Sequence, residues 1–186
     1  MSGRFNDALV FANDLHREQH LDDLDTGPTS HPVAVASLAL KMGADEDEAI
    51  AALFHDAVQD QSGAPRLVEI TGRFGDRVAR ILADCTDWNG TGRRPPWRKR
   101  KRAYLKSLSS KPVDALLIAL AAKTLEVRSI VGALAVHGNV VWDQFTGGRT
   151  GVLWYYSALA EVFSRSLPSA GSARFIELVE QMSTLE

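Results

Sequence analysis

Residues 49–54 (AIAALF) form a short apolar run that ends in the adjacent pair His55-Asp56, and His31 stands just ahead of Pro32 at the head of another apolar stretch. An apolar run at helical spacing buries one face. A buried face that closes on an imidazole and a carboxylate must find partners for them, because polar groups taken from water without partners cost stability. The spacing predicts a helical hairpin, with His31 opening one helix and His55-Asp56 near the end of the next. Such a hairpin brings three donors to one place. Two imidazoles and a carboxylate suit a first-row divalent cation such as manganese, iron or zinc, and Asp60 lies one turn beyond Asp56, within reach of the same pocket.

Helical spacing continues along most of the chain, over 5–19, 31–42, 45–59, 65–74, 76–85, 97–108, 112–136, 140–145, 153–166 and 172–182. No segment alternates as a half-buried strand does. Loops are expected at 21–30, broken by Gly27-Pro28, and at 87–96 (DWNGTGRRPP). The expected fold class is an all-α helical bundle, one domain over residues 1–186. That length, with 45% hydrophobic residues, is enough to bury a sizeable core.

Composition narrows the partners. A net charge of −2 gives no reason to expect nucleic acid or a membrane. The longest apolar run, 113–125, is interrupted by Asp114 and Lys123 and is too short to span a bilayer. The N-terminus shows no signal peptide. A single cysteine, Cys85, precludes an internal disulfide and fits the cytoplasm. Homo-oligomerisation is left open. The basic run at 97–102 (WRKRKR), with Arg93 and Arg94, reads as a phosphate-facing lid or a solvated face. Trp142, Phe145, Trp154 and Tyr155 read as packing residues, and Gly147-Gly148 as a turn.

The segment TSHPVAVASLALKMGADEDEAIAALFHDAVQDQ resembles the HD-superfamily signature of RelA/SpoT-type alarmone hydrolases. It is especially similar to the small bacterial enzymes and the metazoan SpoT homologues. The likeness continues through RFGDRVARILADCTD, PPWRKRKRAYLKSL, ALLIALAAKTLEVRSIV and GGRTGVLWYYSALAEVF, nearly the whole chain. It implies an all-α HD-domain fold and removal of the 3′-pyrophosphate of guanosine tetra- and pentaphosphate, with manganese. It also implies metal ligation by His31, His55 and Asp56, proton handling by Asp60, and substrate contacts from Tyr156. Arg98, Lys99 and Arg102 fall where contacts to substrate phosphates are expected. The expected ligand is accordingly a small phosphorylated molecule, nucleotide-like.

The chain departs from the family pattern in four places, one of them a pair of residues. Gln59 replaces a glutamate and can position water but cannot take its proton. Ala122 stands where the fourth metal ligand, an aspartate, is expected. Glu126 replaces an asparagine. Leu21-Asp22 replaces an Arg-Lys pair that contacts base and phosphate. Glu126 shares a helix face with Ala122, so it either supplies the missing carboxylate or pairs with Lys123 or Arg128. Two functions follow: a metal-dependent phosphohydrolase of altered substrate or weakened activity, or a non-catalytic HD protein that binds a ligand or partner.

Overall fold

A computed structural model describes residues 1–19, 30–58, 63–88 and 93–185. Leu21, Asp22, Gln59 and Asp60 lie outside the described residues. Nine α-helices are described: α1 (Gly3–Gln19), α2 (Ser30–Lys41), α3 (Glu46–Leu53), α4 (Gly63–Phe74), α5 (Asp76–Cys85), α6 (Trp97–Leu108), α7 (Val113–His137), α8 (Gly148–Ser166) and α9 (Ala170–Thr184). A 3₁₀ segment, Gly138–Gln144, joins α7 to α8. No strand occurs among the described residues, and none of their helices is long and apolar enough to cross a membrane. The all-α expectation is borne out.

Two apolar clusters share the long helix α7. One packs Ile118, Ala121 and Ala122 of α7 against α1–α5 around Ile50, Phe54 and Ile81. The other packs Leu116, Leu120 and Val127 against α6, α8 and α9 around Leu159, Phe163 and Phe175. A helix apolar on all sides is one buried on all sides, which is how α7 serves as the shared wall.

Local chemistry sets the element ends near the site. Asp45 caps α3: its carboxylate accepts from Glu48 N–H (3.0 Å), and the Glu48 side chain accepts from Asp45 N–H (2.6 Å), closing a reciprocal box. Arg77 on α5 and Arg4 on α1 pair with Asp45 and Asp47 of this same cap, each at 2.6 Å.

The far end of α3 differs from expectation. The helix stops at Leu53 rather than continuing to residue 59, so His55 and Asp56 sit in a turn. No proline or glycine breaks it. Phe54 N–H bonds back to Ala51 rather than a full α-turn away, and His55 Nδ1 donates to the Ala52 carbonyl at 2.9 Å. A continuing α-helix hands that carbonyl to Asp56 N–H. The helix ends where the His55 imidazole binds that carbonyl.

The start of α8 also differs. Gly148 and Gly151 lie inside the helix, which begins five residues earlier than the spacing predicts. Gly148 has a positive φ (54°), and Trp97 accounts for Gly147 and Gly151. A Cβ at Gly147 meets its ring at 2.8 Å, and one at Gly151 meets it at 3.3 Å. The indole of α6 rests directly on the backbone that opens α8.

Candidate metal centre

His31 projects from the first turn of α2, and His55-Asp56 project from the turn after α3, the helix α2 packs against most extensively. Both Nε2 atoms approach the same oxygen, Asp56 Oδ2, at 3.0 Å from His55 and 3.8 Å from His31. The three donor atoms lie within 4.8 Å of one another. The His55 side chain is only 4% exposed, whereas His31 and Asp56 are 36% and 40% exposed. The cluster is walled on one side and open on the other.

The donor chemistry fits a divalent cation. Because His55 donates Nδ1–H to a backbone carbonyl, Nε2 is the ring nitrogen that faces Asp56, and it offers its lone pair to a cation once its own proton is lost. Desolvation opposes ionisation of Asp56, but the neighbouring His55, its hydrogen bond, Lys123 and His31 outweigh that and hold the carboxyl well below its ordinary range. Burial, followed by His55, lowers His31, so it is a neutral imidazole at neutral pH. Burial likewise opposes protonation of His55, yet Asp56 and the Ala52 carbonyl raise it on balance.

Glu126 stands outside this trio. Its Oε1 accepts from Lys123 Nζ at 2.5 Å and its Oε2 from the Tyr156 hydroxyl at 2.7 Å, tying α7 to α8. Burial works against both charges, but Lys123 and Glu126 offset it for each other: the lysine is pushed up and the glutamate down. Of the two readings open in the sequence, the geometry matches the ion pair with Lys123. Ala122, one turn earlier, is almost fully buried in the core shared with α2 and α3.

The basic helix α6 divides into two faces. Arg98, Lys99 and Arg102 are exposed; the guanidinium of Arg98 lies 4.8 Å from the Trp154 ring centroid and that of Arg102 6.0 Å. The inward face is Trp97, Arg100, Lys101, Tyr104 and Leu108. There Asp87, 6% exposed, accepts from Arg100 Nε (3.0 Å) and Lys101 Nζ (2.7 Å) through one oxygen. The Lys101 ammonium also sits 4.8 Å above the Tyr155 ring. Burial and then the charge of Lys123 lower the pKa of Lys101, so the two ammonium groups share one neighbourhood with Glu126.

Lys101, Arg100 and Asp87 are the residues that motif matching passes over. The signal was available: Trp97, Lys101, Tyr104 and Leu108 recur at helical spacing, which places Lys101 inside and its basic neighbours outside. Cys85 plays no part; its thiol donates to the Ala115 carbonyl (3.4 Å), and burial pushes it up to about 12.

Comparison with known proteins agrees with this geometry. The HD domain family matches residues 8–153. A guanosine-3′,5′-bis(diphosphate) 3′-pyrophosphohydrolase of Drosophila melanogaster (MESH1) is 28% identical over 146 residues, covering 77% of this chain and 76% of that protein. A guanosine-3′,5′-bis(diphosphate) 3′-pyrophosphohydrolase of Aquifex aeolicus is 37% identical over 81 residues, 42% of this chain but only 11% of that much longer protein. Among solved structures, a metazoan ortholog of SpoT superposes with a TM-score of 0.79 at 21% identity, covering 97% of this chain and 96% of that one. A protein of Listeria monocytogenes EGD-e gives 0.70 at 24%, covering 83% and 99%. With two histidines and an adjacent aspartate gathered at the end of an apolar helix, and a match running from the first apolar cluster into the second, this chain belongs to the HD domain family.

Proposed function

We propose that this protein is a divalent-metal-dependent phosphohydrolase that cleaves a nucleotide pyrophosphate, with guanosine-3′,5′-bis(diphosphate), the compound for which its fly relative is named, as the first substrate to test. The reading rests on the convergence of His31, His55 and Asp56, with Nε2 of His55 directed at the cluster. These three residues hold the cation, which we take to be Mn²⁺. When bound, it supplies Lewis acidity to a phosphate ester and acidifies water.

The chain's own groups do the rest. Lys123 lies within electrostatic reach of His31, His55 and Asp56, and Lys101 neighbours Lys123; in this reading their ammonium groups bind phosphate oxygens and offset the charge that builds up as the bond to phosphorus breaks. Glu126 holds Lys123 and Tyr156 in position, so Lys123 meets the substrate at a set distance from the cation. Asp60 accepts the proton of the attacking water, and Gln59 orients that water by hydrogen bonding. This assignment moves phosphate binding from the outer face of α6 to its inner face. We place the reaction in the cytoplasm.

The test is paired. Elemental analysis of protein purified with manganese should approach one ion per chain in the wild type and fall to near zero in His31→Ala and His55→Ala. Release of pyrophosphate from guanosine-3′,5′-bis(diphosphate) should require that ion. Metal bound in the wild type and unchanged in both variants overturns the site. Metal bound as expected, with no nucleotide pyrophosphate hydrolysed, overturns the reaction and leaves a metal-binding HD protein without turnover.

A further inference from the structure

Helices α4 and α5 shape an open pocket of about 360 Å³, lined by Val58, Leu67, Val68, Thr71, Ala83 and Thr86 together with the start of α4. It is not part of the metal centre. No residue of α2 or α7 lines it, whereas His31 stands on α2, and Lys123 and Glu126, whose charges act on His31, stand on α7. Val58, two residues beyond Asp56, is the only lining residue from the turn that carries the metal ligands. The basic segment at 93–102 contributes nothing to the pocket.

The pocket has a definite polarity. No charged side chain lines it, and its only polar side chains are Thr71 and Thr86. A hydroxyl has one proton to give and two lone pairs that receive. Thr71 donates its proton to the Leu67 carbonyl (2.6 Å) and Thr86 to the Leu82 carbonyl (2.8 Å), each one turn back along its own helix. Lone pairs are what both hydroxyls have left to offer. A ligand that presents an acceptor to them gains nothing, and a charged ligand finds no counter-ion, so its desolvation goes uncompensated.

The apolar surface around the pocket is small. Val68 is 73% exposed, and Ala64 and Ala83 are exposed on the same walls. Charged residues border them at once: Glu69, paired with Arg73, follows Val68, and Arg80 lies one turn before Ala83. A stable protein interface buries about 1,200 Å² or more, which three such residues do not supply. The volume instead falls within the roughly 300–1,000 Å³ of small-ligand sites. We propose that this pocket binds an uncharged, largely apolar small molecule that donates a hydrogen bond. The proposal depends on neither the metal nor the hydrolase reading, because no residue of the metal trio lines the pocket.

The experiment compares three probes of one shape on the full chain, by calorimetry and amide NMR shifts. Indole carries an N–H donor, indene carries none, and benzofuran carries an acceptor oxygen. Indole should saturate at one per chain, shift amides of 63–71 and 83–86, and bind about fivefold or more tighter than the other two. Thr71→Val/Thr86→Val, which keeps the shape, should remove that preference. Ala83→Phe, at an exposed position, should block all three probes while circular dichroism reports an unchanged fold. His31→Ala should bind indole as the wild type does. The proposal is overturned if indole does not saturate, or if indene or benzofuran binds as tightly. It is also overturned if the threonine variant keeps the preference, if Ala83→Phe still binds indole, or if His31→Ala loses it. A wild type that sediments as a dimer dispersed by Ala83→Phe overturns it too, and assigns the face to a second copy.

Discussion

Replacing Asp87 by asparagine isolates the one carboxylate that holds the inner face of α6 in place. In the wild type, Oδ2 of Asp87 accepts from both Arg100 and Lys101, and the three side chains are 6%, 10% and 15% exposed. Asparagine keeps the shape and one acceptor but removes the charge, leaving two largely buried cations without a counter-ion. Breaking a buried pair on one side costs about 3–5 kcal/mol, and the retained amide oxygen puts Asp87→Asn at the lower end, about 3 kcal/mol. For a chain of this size that corresponds to a melting temperature lower by roughly 6–12 °C.

The pH dependence has a definite sign. Burial opposes ionisation of Asp87, but Lys101 and Arg100 outweigh it, and the folded carboxyl sits below its ordinary value of 3.8. A carboxyl depressed by folding contributes its stability above the unfolded value and loses it as pH falls through the folded one. The gap between wild type and Asp87→Asn should therefore be full at pH 7 and shrink as pH drops below about 4. Urea unfolding across this range measures it. A variant as stable as the wild type at pH 7, or a gap that widens in acid, would refute the reasoning.

Other consequences can be measured independently. Tyr156→Phe removes a hydrogen bond to a buried carboxylate, and should cost about 1.5–3 kcal/mol in urea unfolding. If Lys123 is a phosphate ligand positioned through Glu126, the same variant should raise KM for the nucleotide more than it changes metal content. Gly147→Val drives side-chain atoms into the Trp97 ring, and a loss of roughly 1–3 kcal/mol is expected, read as a lower melting temperature. His55→Ala should destabilise the metal-free protein more than His31→Ala, since only His55 is buried and hydrogen-bonded to the backbone; thermal melts in chelator decide it.

Most of the architecture was legible before any coordinates. Helical spacing placed the elements because each buries an apolar stripe, and that stripe is written into consecutive residues. The metal trio was legible for a related reason: an imidazole and a carboxylate closing a buried run are conspicuous in one dimension. The end of α3 was not legible. Nothing in FHDAV marks a helix stop, and the contact found at the break, from the His55 ring to the Ala52 carbonyl, is visible only once the backbone has turned. The first turns of α8 were misread because glycine marks a turn unless something needs its missing Cβ, and what needs it here is an indole from another helix.

The sequence alone determined that this chain is an all-α bundle carrying two histidines and an aspartate suited to a cation, because spacing and residue type are local properties. Tertiary structure decided which charges meet. It paired Glu126 with Lys123 and Tyr156 across α7 and α8, and turned Lys101 inward to Asp87 while leaving Arg98, Lys99 and Arg102 in solvent. Those outcomes depend on distances between residues far apart along the chain and on how much water each position keeps, and neither quantity exists until the helices pack.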